Sequence, residues 1–468
     1  MRAFRKFVWL ALSVMAAAFV ALSSARTETI ESALTRAYEE NPQLNAQRAS
    51  VRATDEYVPQ ALSGYRPRVG ATATVGEQRA DLIDVTTTPG NPPVYTPLST
   101  TATPYTYGLS VTQNVFNGFQ TANRTRAAES QVMAAREGLR VLEQTILLNG
   151  ATIYMDVLRD SAVLQIQQEN VATLRQVLEQ TQKRFSVGDV TATDVSQAKA
   201  QLASAEATLL AAGATLATSS ANYRTIIGVD PHALTPATPV DRFSPPTLIG
   251  AFALGDQSNP NITAGMYGVD VAHLQVKINE GALYPTMNIQ AAFQQQYQPL
   301  PGEQSLFTAG VTGQLSIPLY QGGAEYALIR QSKESAAQQR LNLDLVRRQV
   351  HANVAQAWAQ LAAAKGELEK AKIAVAAAEA TLNGMRKEAR VGERTTFDVL
   401  NAQQVLVTAR ITLVTAQHDR VVTSYNLLSA VGRLSPQVLA LPTTLYDPGV
   451  HYQQVRDAWS GLRTPSGK

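Results

Sequence analysis

The 468-residue chain contains no cysteine. That excludes a disulfide scaffold, a thiolate metal site and a lipidated amino-terminal cysteine. Past residue 25 the chain has no run of the roughly 20 mostly apolar residues that a membrane-crossing helix needs. The uncharged run 207–223 comes nearest, but it is built largely of Ala, Thr and Ser and reads as a packed helix. The five histidines (His232, His273, His351, His418 and His451) lack metal-ligand spacing. There is no nucleophile elbow and no Gly-rich phosphate loop. An enzyme, a cofactor and a resident metal are therefore not expected.

Excess charge is also missing. Lys and Arg number 40 against 37 Asp and Glu, and the whole excess is Arg2, Arg5 and Lys6. These precede an apolar run from Phe7 to Leu22 and a small-residue site ending at Ala25, which together read as a secretory signal peptide over residues 1–25. The remaining chain is balanced, 37 against 37, so a nucleic-acid partner is not expected.

Proline is scarce in a pattern. The chain has 22, yet none lies between Asn117 and Asp230 or between Leu319 and Ser435. These windows are rich in Ala, Gln, Leu and Glu, which favour helix. Val132, Leu139, Ile146 and Ile153 step by seven, as do Val157, Leu164, Val171 and Leu178. A sustained seven-residue step predicts coiled-coil-like packing. Long helices are expected at about 119–185 and 323–389, each roughly 100 Å long at 1.5 Å per residue.

What the chain does have, it has twice. "RFSVGDVTATDV" from Arg184 and "ARVGERTTFDVL" from Ala389 lie in register at a shift of 204. At that shift Phe116-Asn117-Gly118 meets Tyr320-Gln321-Gly322, Asn222 meets Asn426, and Gly228 meets Gly432. Upstream the shift is 218, where Asn41-Pro42 meets Asn259-Pro260, Ile30 meets Leu248, and Pro67 meets Pro285. The first half thus holds about 14 extra residues. They fall in "LIDVTTTPGNPPVYTPLST", whose Pro and Thr content reads as a long loop. The chain is a duplicated domain rather than a short-repeat solenoid.

Gly188 and Gly392 read as helix C-caps, and "TATD" and "TTFD" as capping boxes. Each tip is a tight helix–turn–helix, with return helices at about 191–228 and 395–432. Strands are expected at about 66–78, 104–116, 284–297 and 306–320. Each alternates an apolar face with a small, uncharged polar one, which suits lipid outside and water inside. Aromatics near the strand ends (Tyr65, Tyr105, Tyr107, Phe116, Tyr284, Phe293, Tyr297, Phe307 and Tyr320) could form an interfacial girdle or belong to ordinary soluble strands. Four strands cannot close a barrel of at least about eight, so a spanning reading requires oligomerisation.

At this point the sequence resembles the TolC-like outer-membrane factors, over nearly the whole chain after residue 25. The likeness rests on the duplicated strand–strand–long-helix order, the "NP" helix starts, the "FNG" and "YQGG" junctions, and above all the two tips. It implies an α+β membrane protein: a homotrimeric 12-stranded β-barrel in outer-membrane lipid, continuous with a 12-helix periplasmic α-barrel. The first repeat would be 26–228 and the second 247–432. An equatorial belt would comprise 229–256 and 433–468, the end of the latter disordered. The implied role is an exit duct for efflux or type I secretion, coupled through a periplasmic adaptor to an inner-membrane transporter of ABC, RND or MFS type. The alternative reading is a periplasmic adaptor, which also projects long hairpins but lacks the duplication.

The resemblance also assigns the tips. Adaptor hairpins would dock around Val187, Gly188, Val391 and Gly392. Thr193 and Asp194 match residues that tie one hairpin to the next, with Arg394 as cationic partner. Asp398 matches an inward-facing acid that forms a possible cation-binding ring when repeated three-fold. Asn401 stands where relatives can carry a second acid, and Ala389 where they can carry a bonding tyrosine. Both aspartates also have a purely local use, completing capping boxes.

Overall fold

A computed structural model of the protein describes residues 27–298 and 304–465. The expected signal peptide lies outside the described residues, as do residues 466–468 at the end of the C-terminal segment. Helices α1 (Ile30–Glu40), α2 (Pro42–Asp55) and α3 (Tyr57–Leu62) precede strands β1 (Arg68–Val75), β2 (Gln78–Thr86), β3 (Val94–Ala102) and β4 (Tyr105–Asn117). Helices α4 (Gln120–Ser186) and α5 (Ala192–Ile227) complete the first half. The second half repeats the order with α6 (Leu248–Ser258), α7 (Pro260–Gly281), β5 (Thr286–Tyr297), β6 (Ser305–Ser316), α8 (Ala324–Arg390) and α9 (Thr396–Ala430). A short α10 (Pro448–Val455) follows.

The chain divides into two compact units. One comprises Met1–Ser50, Arg136–Thr263 and Asp344–Asp447. Its largest core gathers Ile30, Leu34 and Ala37 of α1, Ile146, Leu147 and Tyr154 of α4, Tyr223 and Ile227 of α5, and Val421, Tyr425 and Leu428 of α9. The belt contributes Val240, Leu434, Leu439 and Leu441. Burying side chains of this size contributes about 1.5–3 kcal/mol each. The Tyr154 hydroxyl is held at this core between Thr235 and the carbonyl of Glu28, and the Thr235 backbone N–H donates to it at 3.1 Å. Asp241 fixes the 229–247 segment by pairing with Arg420 of α9 (2.9 Å) and Lys365 of α8 (3.0 Å).

The "NP" motifs have a physical explanation in this unit. Asn41 Oδ1 accepts from the backbone N–H groups of Gln43 (2.9 Å) and Leu44 (3.2 Å), capping α2, while its Nδ2 donates to the Ile226 carbonyl at the end of α5. Asn259 does the same one repeat later, accepting from Asn261 N–H and donating to the Ala430 carbonyl, each at 3.0 Å. Proline follows both, at a position where a helix needs no N–H. Each Asn thus satisfies orphan groups of two helix ends. Asn259→Ala is expected to cost about 1–3 kcal/mol, a lost cap plus a lost hydrogen bond. Urea unfolding monitored by circular dichroism at 222 nm would read it; a midpoint unchanged from wild type would refute the double role.

The second unit comprises Val51–Ala135, Ala264–Leu343 and Pro448–Lys468. It carries an antiparallel four-stranded sheet in the order β1-β4-β5-β6. The sheet is open, so β1 and β6 are its two edges. Val58, Ala128 and Val132 form a small core below it, with Tyr452 of α10 packed alongside. The C-terminal segment is strapped down: His451 Nδ1 lies 3.0 Å from the buried Asp55 carboxylate, and Arg66 stacks on Trp459 at 4.8 Å.

One expectation is corrected here. The Pro- and Thr-rich stretch is no loop but a separate two-stranded hairpin, β2 with β3, in register from Gln78↔Ala102 to Thr86↔Val94. Only the turn around Gly90 (φ 90°) is irregular. Both strands are edges, so Pro97 gives up no required ladder bond, and β-branched and aromatic residues such as Val85↔Tyr95 pair across it.

Candidate functional site: the paired helical tips

Helices α4 and α8 are each 67 residues long. The residues that step by seven line their packed side: Val132, Leu139, Ile146, Val157 and Val171 are buried on α4, and Ala336, Val350, Ala357, Leu361 and Leu382 on α8. Each helix ends in the same chain reversal. At the first tip Gly188 takes φ 79°, and the Asp189 N–H donates back to the Arg184 carbonyl at 2.9 Å. At the second Gly392 takes φ 83°, and the Glu393 N–H donates to the Glu388 carbonyl at 3.0 Å. This is the glycine C-cap in which the residue after the glycine closes the last turn.

Two residues later the return helices begin in capping boxes. Asp194 Oδ2 accepts from the Thr191 N–H (2.8 Å) and hydroxyl (2.7 Å), and Asp398 Oδ2 accepts from the same groups of Thr395 (2.9 and 2.8 Å). The Thr191 hydroxyl and backbone hold the Asp194 carboxyl below its usual range. The Thr395 backbone and hydroxyl do so for Asp398. Both acids therefore stay charged at any pH above about 4.

Val187 and Val391, at the turns, are 79% and 73% exposed. Phe185 and Phe397 are exposed beside them. Thr193 and Arg394 are exposed, Ala389 is half-buried near the end of α8, and Asn401 is exposed on α9. Asn401 follows Asp398 by three residues and so shares its helix face one turn on. Arg394 pairs with Glu388 of its own tip at 2.9 Å. Among the described residues no hydrogen bond or ion pair joins it to Thr193 or Asp194 in the same chain.

Sequence reasoning missed that the two tips invert their charges. The first tip closes with Arg184 on Asp189 at 2.6 Å; the second closes with Glu388 on Arg394. The 204 shift places Glu388 on Arg184, a sign change visible in the repeat alignment, but it places Glu393 on Asp189 and Arg394 on Val190, so the inverted pair itself was not. The helices behind the tips are cross-tied. Arg175 meets Glu206 between α4 and α5 (2.7 Å), Arg410 meets Glu379 between α9 and α8 (2.8 Å), and Gln201 meets Gln404 between α5 and α9 (3.2 Å). Leu400 of α9 is buried with Val171, Leu174, Ala198 and Ala205 of α4 and α5. Among the described residues no cluster of acids and histidines could hold a metal ion, and no helix is long and apolar enough to cross a membrane.

This architecture has relatives. The chain is 38% identical to the outer membrane efflux protein BepC of Brucella suis, over 95% of this chain and 94% of BepC. It is 26% identical to the outer membrane protein TolC of Escherichia coli, over 95% and 90%. Its fold superposes on the Campylobacter jejuni CmeC outer membrane channel with a TM-score of 0.76 at 14% identity, covering 92% of this chain and 89% of CmeC. A family model described as outer membrane efflux protein matches residues 33–229 and 255–433. The duplicated fold and these matches together establish that the chain belongs to the outer membrane efflux protein family.

Proposed function

We propose that the protein is the outer-membrane exit duct of a tripartite efflux pump or type I secretion system. It works as a homotrimer whose three open sheets close one 12-stranded barrel and whose helices form a 12-helix periplasmic tunnel. It takes substrate from an inner-membrane transporter of ABC, RND or MFS type through a periplasmic adaptor. The open sheet with two unpaired edges carries this reading, because a bilayer does not tolerate unpaired strand edges. The aromatics supply the second support. Tyr105 stacks on Tyr297 at 4.5 Å at one end of the sheet, and the exposed Tyr65, Tyr284 and Tyr320 lie at the other. Tyr284 to Tyr297 spans about 43 Å of strand, or about 30 Å along the normal at a tilt of about 45°, the thickness of a hydrocarbon core. The periplasmic-adaptor alternative is not favoured, since the relatives are outer-membrane channels and the sheet would be left without a role.

At the tips, Asp398 forms the acidic ring of the tunnel mouth. Arg394 and Glu388 stand beside the Thr193–Asp194 latch of the adjoining hairpin, and Val187, Gly188, Val391 and Gly392 offer the adaptor an apolar turn to grip. With Asn401 one turn above and Ala389 in place of an aromatic latch, the ring is single and the latch light. Like charges in a narrow pore hold a cation. In planar bilayers, block of the reconstituted channel by a trivalent cation is expected to weaken about tenfold or more in Asp398→Asn. Block in the wild type should fade on acidification, as the Asp398 carboxylates of the ring take up protons. Equal block in both proteins would sink the ring. Absence of any conductance, with release of the protein from membranes without detergent, would sink the duct. Arg394→Ala is expected to raise the conductance of the closed channel; an unchanged value would remove Arg394 from the latch.

A further inference from the structure

Phe119 is both strained and bare. It stands between β4 and α4 at φ 62°, in the left-handed region that a bulky residue avoids. The 204 shift sets it on Gly323, which holds a similar conformation (φ 87°) with no side chain to strain. Burial does not offset the strain, since Phe119 is 61% exposed. Strain kept without a packing gain points to a use outside the chain.

The ring lies on a definite side of the sheet. It meets Phe116 edge-on, with ring centroids 5.2 Å apart. Phe116 stands opposite Met287, on the face that also carries Val111, Ala291 and Leu315. That is the apolar face, the one turned to lipid in the duct reading. The opposite face carries Thr112, Asn288 and Gln290.

Below Phe119 an open groove runs between α4 and α7. Its upper part, about 270 Å³, is lined by Phe119, Arg126, Lys277 and Tyr284 among others. Its lower part, about 490 Å³, shares Arg126 and Lys277. Of the acids along it, Glu129 is taken by Arg456 (3.5 Å) and Glu280 by Lys333 (3.1 Å), which leaves Asp270. Among the described residues no ion pair engages Arg126 or Lys277, and both are exposed. The groove thus joins two exposed aromatic rings at the foot of the sheet to a surplus of positive charge one step below.

We propose that this groove seats an acidic glycerophospholipid of the periplasmic leaflet, its phosphate between Arg126 and Lys277 and its acyl chains against Phe119 and Phe116. The inference rests on the duct reading and adds a lipid to it. Arg126 lies about 10 Å down α4 from the sheet. Its side chain tilts back toward the start of the helix, and so toward the membrane. Exposed rings at strand ends mark the interfacial level, and basic pockets at that level suit acidic headgroups. Strands β4 and β5 above the groove are the middle pair of the sheet, so a second copy that meets the sheet at its edges does not cover it.

The test is to titrate the delipidated, detergent-solubilised full chain with phosphatidylglycerol or phosphatidylethanolamine and count bound lipid by native mass spectrometry. The wild type should retain phosphatidylglycerol about fivefold more than phosphatidylethanolamine. Arg126→Gln with Lys277→Gln should lower the retained phosphatidylglycerol about fivefold or more, and so should Phe119→Gly. Because glycine relieves the strain, lipid-free Phe119→Gly should melt no lower than the wild type. Unchanged retention in both variants would overturn the seat. Loss in the double variant alone would make the groove a site for a bare anion and overturn the lipid. Loss in Phe119→Gly alone would overturn the acidic headgroup. A Phe119→Gly protein that melts lower would make Phe119 a packing residue and overturn its role in the seat. Conductance in planar bilayers reports the duct separately: if it persists while lipid retention fails, the seat falls and the duct stands.

Discussion

Gly118→Ala is expected to remove a large share of the protein's folding stability and lower its melting temperature. The residue sits between β4 and α4 at φ 64°, a conformation that costs an L-residue about 1–2 kcal/mol. The added methyl would also lie 2.1 Å from the backbone oxygen of Gly281 and 2.9 Å from Tyr284 Cβ. A backbone carbonyl cannot rotate aside, so overpacking adds about 1–3 kcal/mol. The sum, about 2–5 kcal/mol, is a large share of the about 5–15 kcal/mol that holds an ordinary domain. Gly213→Ala is the control. Gly213 lies inside α5 with nothing within 4 Å of its Cβ, so alanine there should be neutral or stabilise by up to about 1 kcal/mol. Melting of the detergent-extracted proteins by circular dichroism compares them; equal melting temperatures for the two variants would refute the junction argument.

The second large effect is expected at His418, the one histidine of α9. It is buried, with Nδ1 2.8 Å from Asp419 and Nε2 3.0 Å from Asp156 of α4. With a carboxylate at each ring nitrogen, the imidazolium is the form that fits. Burial works against that charge, but the contacts with Asp156 and Asp419 outweigh it and raise the His418 pKa. Burial likewise works against the Asp156 charge, yet His418 and Arg159 hold its pKa low. Arg159 also meets Asp156 at 2.9 Å and Asp160 at 2.8 Å, and Asp160 accepts from the Ser219 hydroxyl of α5. The network thus joins three helices. The raised histidine contributes stability that is complete below about pH 6.5 and is lost as pH rises through its folded pKa. The depressed Asp156 contributes stability present above about pH 4 and lost as pH falls further. The wild type should therefore melt lower at pH 9 than at pH 6, and His418→Asn should flatten that difference. Asp156→Asn, which leaves the imidazolium short of a partner, should cost about 2–4 kcal/mol at pH 6, discounted for its partial exposure. A melting temperature independent of pH from 6 to 9 in the wild type would refute the charged imidazolium.

These two sites mark the limit of what the sequence made legible. The long helices and the tips rest on local signals. Alanine-rich windows without proline, a seven-residue apolar step, and a glycine followed by Thr-x-x-Asp each act within a turn or two of chain. The open sheet was legible from alternation. The β2–β3 hairpin was not, because its prolines and threonines outweighed the short apolar face of Ile83 and Val85 opposite Pro97 and Tyr95. The His418 network was not legible either. Asp156 and His418 are 262 residues apart in the chain, and an isolated histidine on a helix most often means nothing. The charge inversion of the tips was half legible: the repeat alignment sets Glu388 on Arg184, but Arg394 falls on Val190, and the inverted pair emerged only when Arg184–Asp189 and Glu388–Arg394 were seen closing the two turns.

Both long helices count 67 residues from strand junction to tip. The chain therefore carries two copies of one ruler. Removing one heptad from α4 alone would shorten that arm by about 10 Å and leave the seven-residue packing in phase. The fold would tolerate the cut locally, yet the two arms would no longer match in length. Length changes in the two arms stay matched only when they come in pairs, at positions 204 residues apart.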